Sequence, residues 1–237
     1  MYKIRLVCEG PTDYDALGAF LDAHLGGADY ELTLLQPDGS LYGGDAGPHG
    51  GGWKGVRGWC KAVAQAGGIK AVAALTPDTD LLIIHVDADI AYDGEIAAAH
   101  PCPPPEDTVQ AVEATVLSWL GLATLPSKIA LWVPSMSTEA WILRALFPTD
   151  PQSVPCAGLS LGATCVECLR DPASALLGRR PKLVQRKRQA PDKREVIRKF
   201  RREYQAQRSQ LADAWGQLVA DMWSAARLNN HLREWLP

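Results

Sequence analysis

The stretch Asp80-Leu81-Leu82-Ile83-Ile84-His85-Val86-Asp87-Ala88-Asp89 is the most informative in the chain. Its near-continuous apolar run is the pattern of a strand buried on both faces of a parallel sheet, and it ends abruptly in two acids. Toward the N-terminus, Lys3-Ile4-Arg5-Leu6-Val7-Cys8 reads as another strand. It stops at Glu9-Gly10-Pro11-Thr12-Asp13, and helical spacing follows through Ala16, Leu17, Phe20, Leu21 and Leu25. Tyr30 to Leu35 is a short strand candidate, residues 36 to 58 form a long Gly- and Pro-rich mobile loop, and residues 59 to 74 suit a helix. Beyond the apolar run, Pro101-Cys102-Pro103-Pro104-Pro105 is a stiff break. Thr108 to Leu120 suits a helix, Lys128 to Pro134 a strand, and Ser137 to Leu146 a helix. This alternation predicts an α/β domain over residues 1–150, with a mainly parallel central sheet flanked by helices. From Pro155 onward, within a second region of residues 151–237, the chain lacks convincing strands. Arg194 to Leu236 has helical spacing, so a helical, basic C-terminal region is expected.

Bulk properties exclude several classes. Of 237 residues, 47% are apolar and 22% charged, which is neither a disordered nor a fibrous composition. No apolar run reaches the roughly 18 residues of a membrane span, and the first residues do not form a signal peptide, so a cytoplasmic protein without membrane contact is expected. Six cysteines in a chain this long do not suggest a disulfide scaffold, and reduced thiols are expected. Cys156, Cys165 and Cys168 offer three thiols without the fourth ligand of a structural zinc site.

The net charge of −3 hides a strong asymmetry. Residues 179–202 hold twelve of the twenty-four Lys and Arg against two acids, which gives +10 and leaves −13 for the rest. A negative body carrying a positive arm suits an acidic metal site joined to a polyanion-binding segment. Lys182, Arg186, Lys187, Arg188, Lys193 and Arg194 are the candidates for contact with DNA or RNA phosphates; docking of the arm on the acidic body is the alternative. Nothing in the stretch promises base-specific readout.

Glu9 and Asp13 follow the first strand, and Asp87 and Asp89 follow the most hydrophobic one. Placing those strands side by side would bring four carboxylates together, an arrangement that needs a cation. Mg²⁺ or Mn²⁺, with oxygen ligands from one or two carboxylates plus water and phosphate, suits such a set. Each motif alone also has a plain reading: Asp-X-Asp occurs by chance, and Glu9 to Asp13 suits a turn in which Thr12 or Asp13 caps the next helix.

Cys8-Glu9-Gly10-Pro11-Thr12-Asp13 followed by Val86-Asp87-Ala88-Asp89 resembles the Toprim domain of primases, type IA and II topoisomerases, ribosomal RNA maturases and overcoming-lysogenisation-defect nucleases. The resemblance covers roughly the first 95 residues. It implies a Toprim-like, Rossmann-like fold in which Glu9, Asp87 and Asp89 are catalytic and bind Mg²⁺. The Glu-X-X-X-Asp spacing of Glu9 and Asp13 looks most like the last of those groups, where both acids serve a two-metal site. Val133 to Leu143, with Glu139 and Trp141, is similar to a stretch of small Toprim-like bacterial proteins linked to phage defence. This makes Glu139 a further candidate ligand, or simply part of a helix start. The resemblance implies a nuclease or related phosphoryl-transfer enzyme; the alternative it leaves is a non-catalytic subunit beside an ATPase or another defence protein.

Lys54 and Arg57, with His49, lie in the Gly-rich segment as candidates for closing on a phosphate, although no Walker A pattern is present. His85 lies inside the buried strand and reads as a hydrogen-bonded core histidine. Trp215, Trp223 and Trp235 fall on an apolar helical pattern and read as core residues.

Overall fold

In the computed structural model the described residues are 1–37, 47–68, 78–96, 102, 104–148, 154–155, 164–189 and 194–236. Strands β1 (Tyr2–Val7), β2 (Tyr30–Gln36), β3 (Leu81–His85) and β4 (Ile129–Trp132) form one sheet in the order β2-β1-β3-β4. Every pairing in it is parallel. The β1–β3 register sets Ile4 against Leu81 and Leu6 against Ile83, so the two strands end side by side. The chain runs from β1 out to β2 and returns across β1 to β3. That reversal puts the topological switch point, and the crevice it opens, between the carboxyl ends of β1 and β3.

Strand residues alternate between the faces of the sheet, and both faces are buried. Ile4, Leu6, Leu81, Ile83, Ala130 and Trp132 pack into one core, while Val7, Leu82, Ile84, Ile129 and Leu131 pack into another. The apolar run of β3 is therefore continuous because each neighbour serves a different core. Helices α1 (Pro11–Leu25) and α4 (Thr138–Leu146) cover the first face, and α2 (Gly52–Gln65) and α3 (Pro105–Trp119) the second. The structure thus has the expected α/β architecture.

Several boundaries move. Helix α2 begins at Gly52, inside the segment expected to be a loop, and ends at Gln65. Its apolar stripe of Val56, Trp59, Cys60 and Val63 is buried, so packing overrides the unfavourable local effect of its glycines. Residues 38–46, within the expected loop, and 69–77, which include the end of the helix expected over 59 to 74, lie outside the described residues.

The C-terminal region is largely helical: α5 (Pro172–Ala175), α6 (Arg201–Ala206), α7 (Arg208–Asp213), α8 (Trp215–Asp221) and α9 (Trp223–Trp235). Four short strands also occur there, contrary to expectation. Val154–Pro155 (β5) pairs with Thr164–Cys165 (β6), and the basic stretch is an antiparallel hairpin of β7 (Val184–Gln189) and β8 (Arg194–Lys199). Val196, Ile197 and Phe200 fit a helical face, but Val196 and Ile197 are β-branched and the paired strand satisfies their backbone, so the extended form prevails.

A second correction concerns the thiols. Cys102 and Cys168 form a disulfide, with Cα atoms 5.3 Å apart. Cys8 and Cys60 are buried free thiols. Cys168 is thereby removed from any zinc set, Cys156 lies outside the described residues, and Cys165 lies in β6. The neighbouring Glu167 caps α9: its carboxylate accepts from the amides of Trp223 at 2.8 Å and Ser224 at 2.9 Å. Among the described residues no helix is long and apolar enough to cross a membrane.

The three tryptophans behave as core residues, with Trp215 buried and Trp223 and Trp235 half-buried against the two cores. Phe20 of α1 joins sheet and C-terminal helices, its ring centroid 6.4 Å from Trp132, 5.5 Å from Trp141 and 5.2 Å from Trp215. Phe20→Ala should cost about 3–5 kcal/mol by leaving a cavity among these rings, read as a lower urea midpoint. His231 of α9 supplies a pH effect. Burial, and then Arg227, lower the pKa of its ring, against the pull of Glu113. The unfolded chain therefore takes up this proton first, and stability should fall as pH drops through the ordinary histidine value of about 6.5. His231→Gln should flatten that part of the stability–pH curve; an unchanged slope would exclude His231 as its source.

Candidate metal centre

The crevice between β1 and β3 is built from strand ends and helix starts. After β1 the chain gives Glu9 and Gly10 and enters α1 at Pro11, a residue suited to the first helical position. Asp13 folds back so that its Oδ2 accepts from the Gly10 amide at 2.8 Å, which realises the capping role open to it. Its other oxygen, Oδ1, is buried with no hydrogen-bond partner among the described residues. Glu9 bridges the strands: its Oε1 accepts from the Asp87 amide at 2.8 Å. Glu9 is itself held from behind, its carbonyl accepting from the Gly52 amide at 2.9 Å as α2 begins.

After β3 the chain turns into a single 3₁₀ turn, Ala88–Tyr92. Asp87 Oδ1 accepts from the Thr138 amide at 2.9 Å, at the start of α4, and from Thr138 Oγ1 at 3.2 Å. A carboxylate at a helix N-terminus gains from the free amides and from the helix dipole. The Asp89 amide donates to the carbonyl of Met136 at 2.8 Å, and Met136 holds a left-handed φ of 60°, rare for a side chain of that size. This bend carries the β4–α4 loop over the end of β3. The Asp89 carboxylate is exposed and has no hydrogen bond or ion pair among the described residues.

His85 is the core histidine expected, but its position is more consequential. It is fully buried beside Trp132, and its Nε2 lies 3.0 Å from Thr138 Oγ1 and 3.2 Å from Asp87 Oδ1. Its Nδ1 lies 3.7 Å from Asp13 Oδ2. Burial alone would lower its pKa; Asp13, Asp87 and Glu9 outweigh that and raise it to about 9.

Glu139 joins the cluster from the first turn of α4, buried, with Oε2 accepting from Ser137 Oγ at 3.1 Å. The rest of its environment comes from the C-terminal region. Tyr204 OH donates to Glu139 Oε1 at 3.0 Å, and Lys199 Nζ lies 2.7 Å from the same oxygen. From sequence, Lys199 reads as one of the basic stretch's candidates for phosphate contact and Tyr204 as part of an apolar helical pattern; neither is placed at the acids. The available signal was the +10 stretch, but with Lys199 assigned to a helix nothing directed it inward.

The electrostatics follow from crowding. Burial and Asp87 push Glu9 well above the usual carboxylate range. Burial takes Asp13 to about 6, against the pull of His85 and Lys199. Asp89 is exposed as a residue, but the surrounding chain displaces much of the water around its carboxylate, and that desolvation with the Asp87 charge raises it to about 7. Asp87 goes the other way: burial opposes its ionisation, but His85, Lys199 and the Thr138 amide outweigh it and hold it below its usual value. Five carboxylates thus surround two internal cations, His85 and Lys199.

The fit to a divalent ion is mixed. The donors are hard oxygens, Asp89 is unengaged, and Asp13 Oδ1 is orphaned in a buried position. Glu139, by contrast, is occupied by Lys199, Tyr204 and Ser137. Among the described residues no three His, Cys, Asp or Glu side chains form a ready-made ligand cage. Mg²⁺ commonly takes only one or two carboxylates and keeps several waters, so Asp87 and Asp89 with Glu9 are compatible with it.

The remaining candidates separate. Lys54 and Arg57 stand on helix α2 rather than in a loop; both pair with Glu95 and flank the Trp53 ring. Lys182, Arg186, Lys187 and Arg188 are exposed on or just before β7, Arg194 begins β8, and Lys193 lies outside the described residues. Docking on the acidic body is also realised, by Lys199 on Glu139 and by Arg201 on Asp15 at 2.7 Å.

No family model, no curated protein and no solved structure matches this chain.

Lys199→Met would strand Glu139 as a buried carboxylate with hydroxyl partners only. A loss of about 2–4 kcal/mol is expected in urea unfolding, recovered in large part by Glu139→Gln in the double variant. Additive losses would show that the two side chains do not act as a pair.

Proposed function

We propose that this chain is a metal-dependent phosphodiesterase acting on DNA or RNA, of Toprim type, with Mg²⁺ or Mn²⁺ held by Asp87, Asp89 and Glu9. The observation that carries the reading is the hydrogen bond from the Asp87 amide to Glu9 Oε1. It locks the acid following β1 against the Asp-X-Asp following β3, at the switch point where open α/β sheets place their chemistry. Bound there, the ion would polarise a phosphate oxygen and lower the pKa of a bound water.

The chain's own residues have separate tasks in this reading. Thr138 and His85 fix the Asp87 carboxylate and keep it ionised, so that one oxygen is oriented inward and the other is free to bind. Asp89, at the exposed rim, is the acid nearest to where a polyanion would arrive. Asp13 is a helix cap with one spare oxygen, in reach of a second ion only if the cluster rearranges. Glu139 holds Lys199 in place, and Lys199 supplies fixed positive charge beside the acids. A role in phage defence or nucleic-acid maintenance is part of the proposal and rests on the sequence resemblance alone.

A second reading is favoured by one observation: Lys199 and His85 already neutralise part of the cluster from within. On that reading the acids serve architecture, and the chain is a non-catalytic nucleic-acid or partner-binding subunit, with an ATPase or another defence protein as its partner.

The two readings separate in one assay. Plasmid, linear DNA and RNA are incubated with Mg²⁺ or Mn²⁺ and wild-type protein, Asp87→Ala or Asp89→Asn. Cleavage by wild type that falls about 100-fold or more in each variant, and vanishes with chelator, is expected for loss of an ion worth several kcal/mol in the transition state. Equal activity of wild type and Asp87→Ala would remove the proposed centre.

A further inference from the structure

The β7–β8 hairpin has two chemically different faces. Its register pairs Val184 with Lys199, Arg186 with Ile197 and Arg188 with Glu195; the alternate pairs are Gln185 with Arg198, Lys187 with Val196, and Gln189 with Arg194. Directly opposed residues share a face and successive pairs change face, so the two sets lie on opposite sides of the ribbon.

Only the base of the first set is turned to the body; its Arg186, Arg188 and Glu195, farther along the ribbon, are exposed. Val184 is buried, Ile197 packs against the main core, and Lys199 reaches Glu139. Its cations are partly neutralised, because Arg186 pairs with Glu195 at 3.2 Å. The second set looks outward: Gln185, Lys187, Val196 and Arg198 are all exposed, and no acid is among them. Val196 is one of two large apolar side chains exposed among the described residues. The ladder ends where the Phe200 amide bonds to the carbonyl of buried Leu183 at 2.8 Å; Phe200 is half-buried, and its ring lies on the side of the ribbon that carries Arg198. Lys182 and Arg198 both stand 5.6 Å from its ring centroid. The aromatic ring thus holds two cations at the base of a face on which Lys187 is the next.

We propose that this outward face, through Lys182, Lys187 and Arg198, is the docking surface for a nucleic-acid phosphate backbone, and that the inward face is structural. The occupant is chosen by charge complementarity: an acid-free cationic face on an otherwise acidic molecule repels no polyanion, and among the described residues Lys187 and Arg198 have no carboxylate partner. The sequence shows a basic stretch, but only the strand register divides its cations into these two groups. The inference deepens the nuclease reading and relies on it for the choice of a nucleic acid; its test needs no catalysis.

Binding of a short fluorescein-labelled duplex DNA, and of a labelled RNA strand, is followed by anisotropy in chelator over a salt series. Lys187→Gln with Arg198→Gln is compared with Arg186→Gln with Arg188→Gln, so that both pairs remove the same charge from exposed positions. Thermal melts confirm folding. The outward pair should weaken duplex binding about ten-fold and lower the salt slope by about 1.8, the loss of two phosphate contacts, while the inward pair should cost about three-fold or less. Equal losses in the two variants, a larger loss from the inward pair, or no binding of either nucleic acid by wild type would overturn the assignment. Face-dependent binding without metal-dependent cleavage would leave this inference standing and refute the nuclease reading. Cleavage indifferent to Lys187 and Arg198 would do the reverse.

Discussion

Carboxylates crowded at one end of a parallel sheet repel one another, and desolvation makes each harder to ionise; the rest of this structure can be read as the compensation. Parallel pairing of β1 with β3 forces Glu9 and Asp87 together, because their strands end in register. Each acid then receives a particular partner: an amide for Glu9, an amide and an imidazole for Asp87, a cap amide for Asp13, an ammonium and a phenol for Glu139. Asp89, nearest solvent, receives none among the described residues. Partners are thus concentrated in the interior, although Asp13 Oδ1 stays unpaired there among the described residues, and Asp89 stands at the rim.

The sheet and its acids were legible because period and chemistry agreed. A run such as Leu81 to Val86 can hardly be anything but a doubly buried strand, and both neighbouring cores use it. The meeting of Glu9 with Asp87 followed because each acid comes just after a strand of the same parallel sheet. Helix α2 was misplaced because glycine content spoke for a loop, while the stripe from Val56 to Val63, visible only as packing, decided for a helix.

The hairpin and Lys199 were not legible for a different reason. A six-residue strand dense in Arg and Lys has little apolar pattern, and its identity comes from a partner strand that local spacing does not reveal. Arg194 to Lys199 also satisfied a helical template, so the inward direction of Lys199 could not be drawn from periodicity. Likewise the pairing of Cys102 with Cys168 spans 66 residues and depends on a fold that brings the Pro-rich break to Glu167.

These two long-range features change what the site consists of. Glu139, at the start of α4, is neutralised by residues more than fifty positions later, and Arg201 and Gln205 hold Asp15 on α1 in the same way. The same hairpin that presents cations outward thus inserts one inward. A hairpin that moved away from the sheet would take Lys199 from the carboxylates and carry Lys187 and Arg198 with it. The cation that meets the cluster and the cations of the outward face therefore stand on one ribbon, and the C-terminal region contributes directly to the surroundings of the acids.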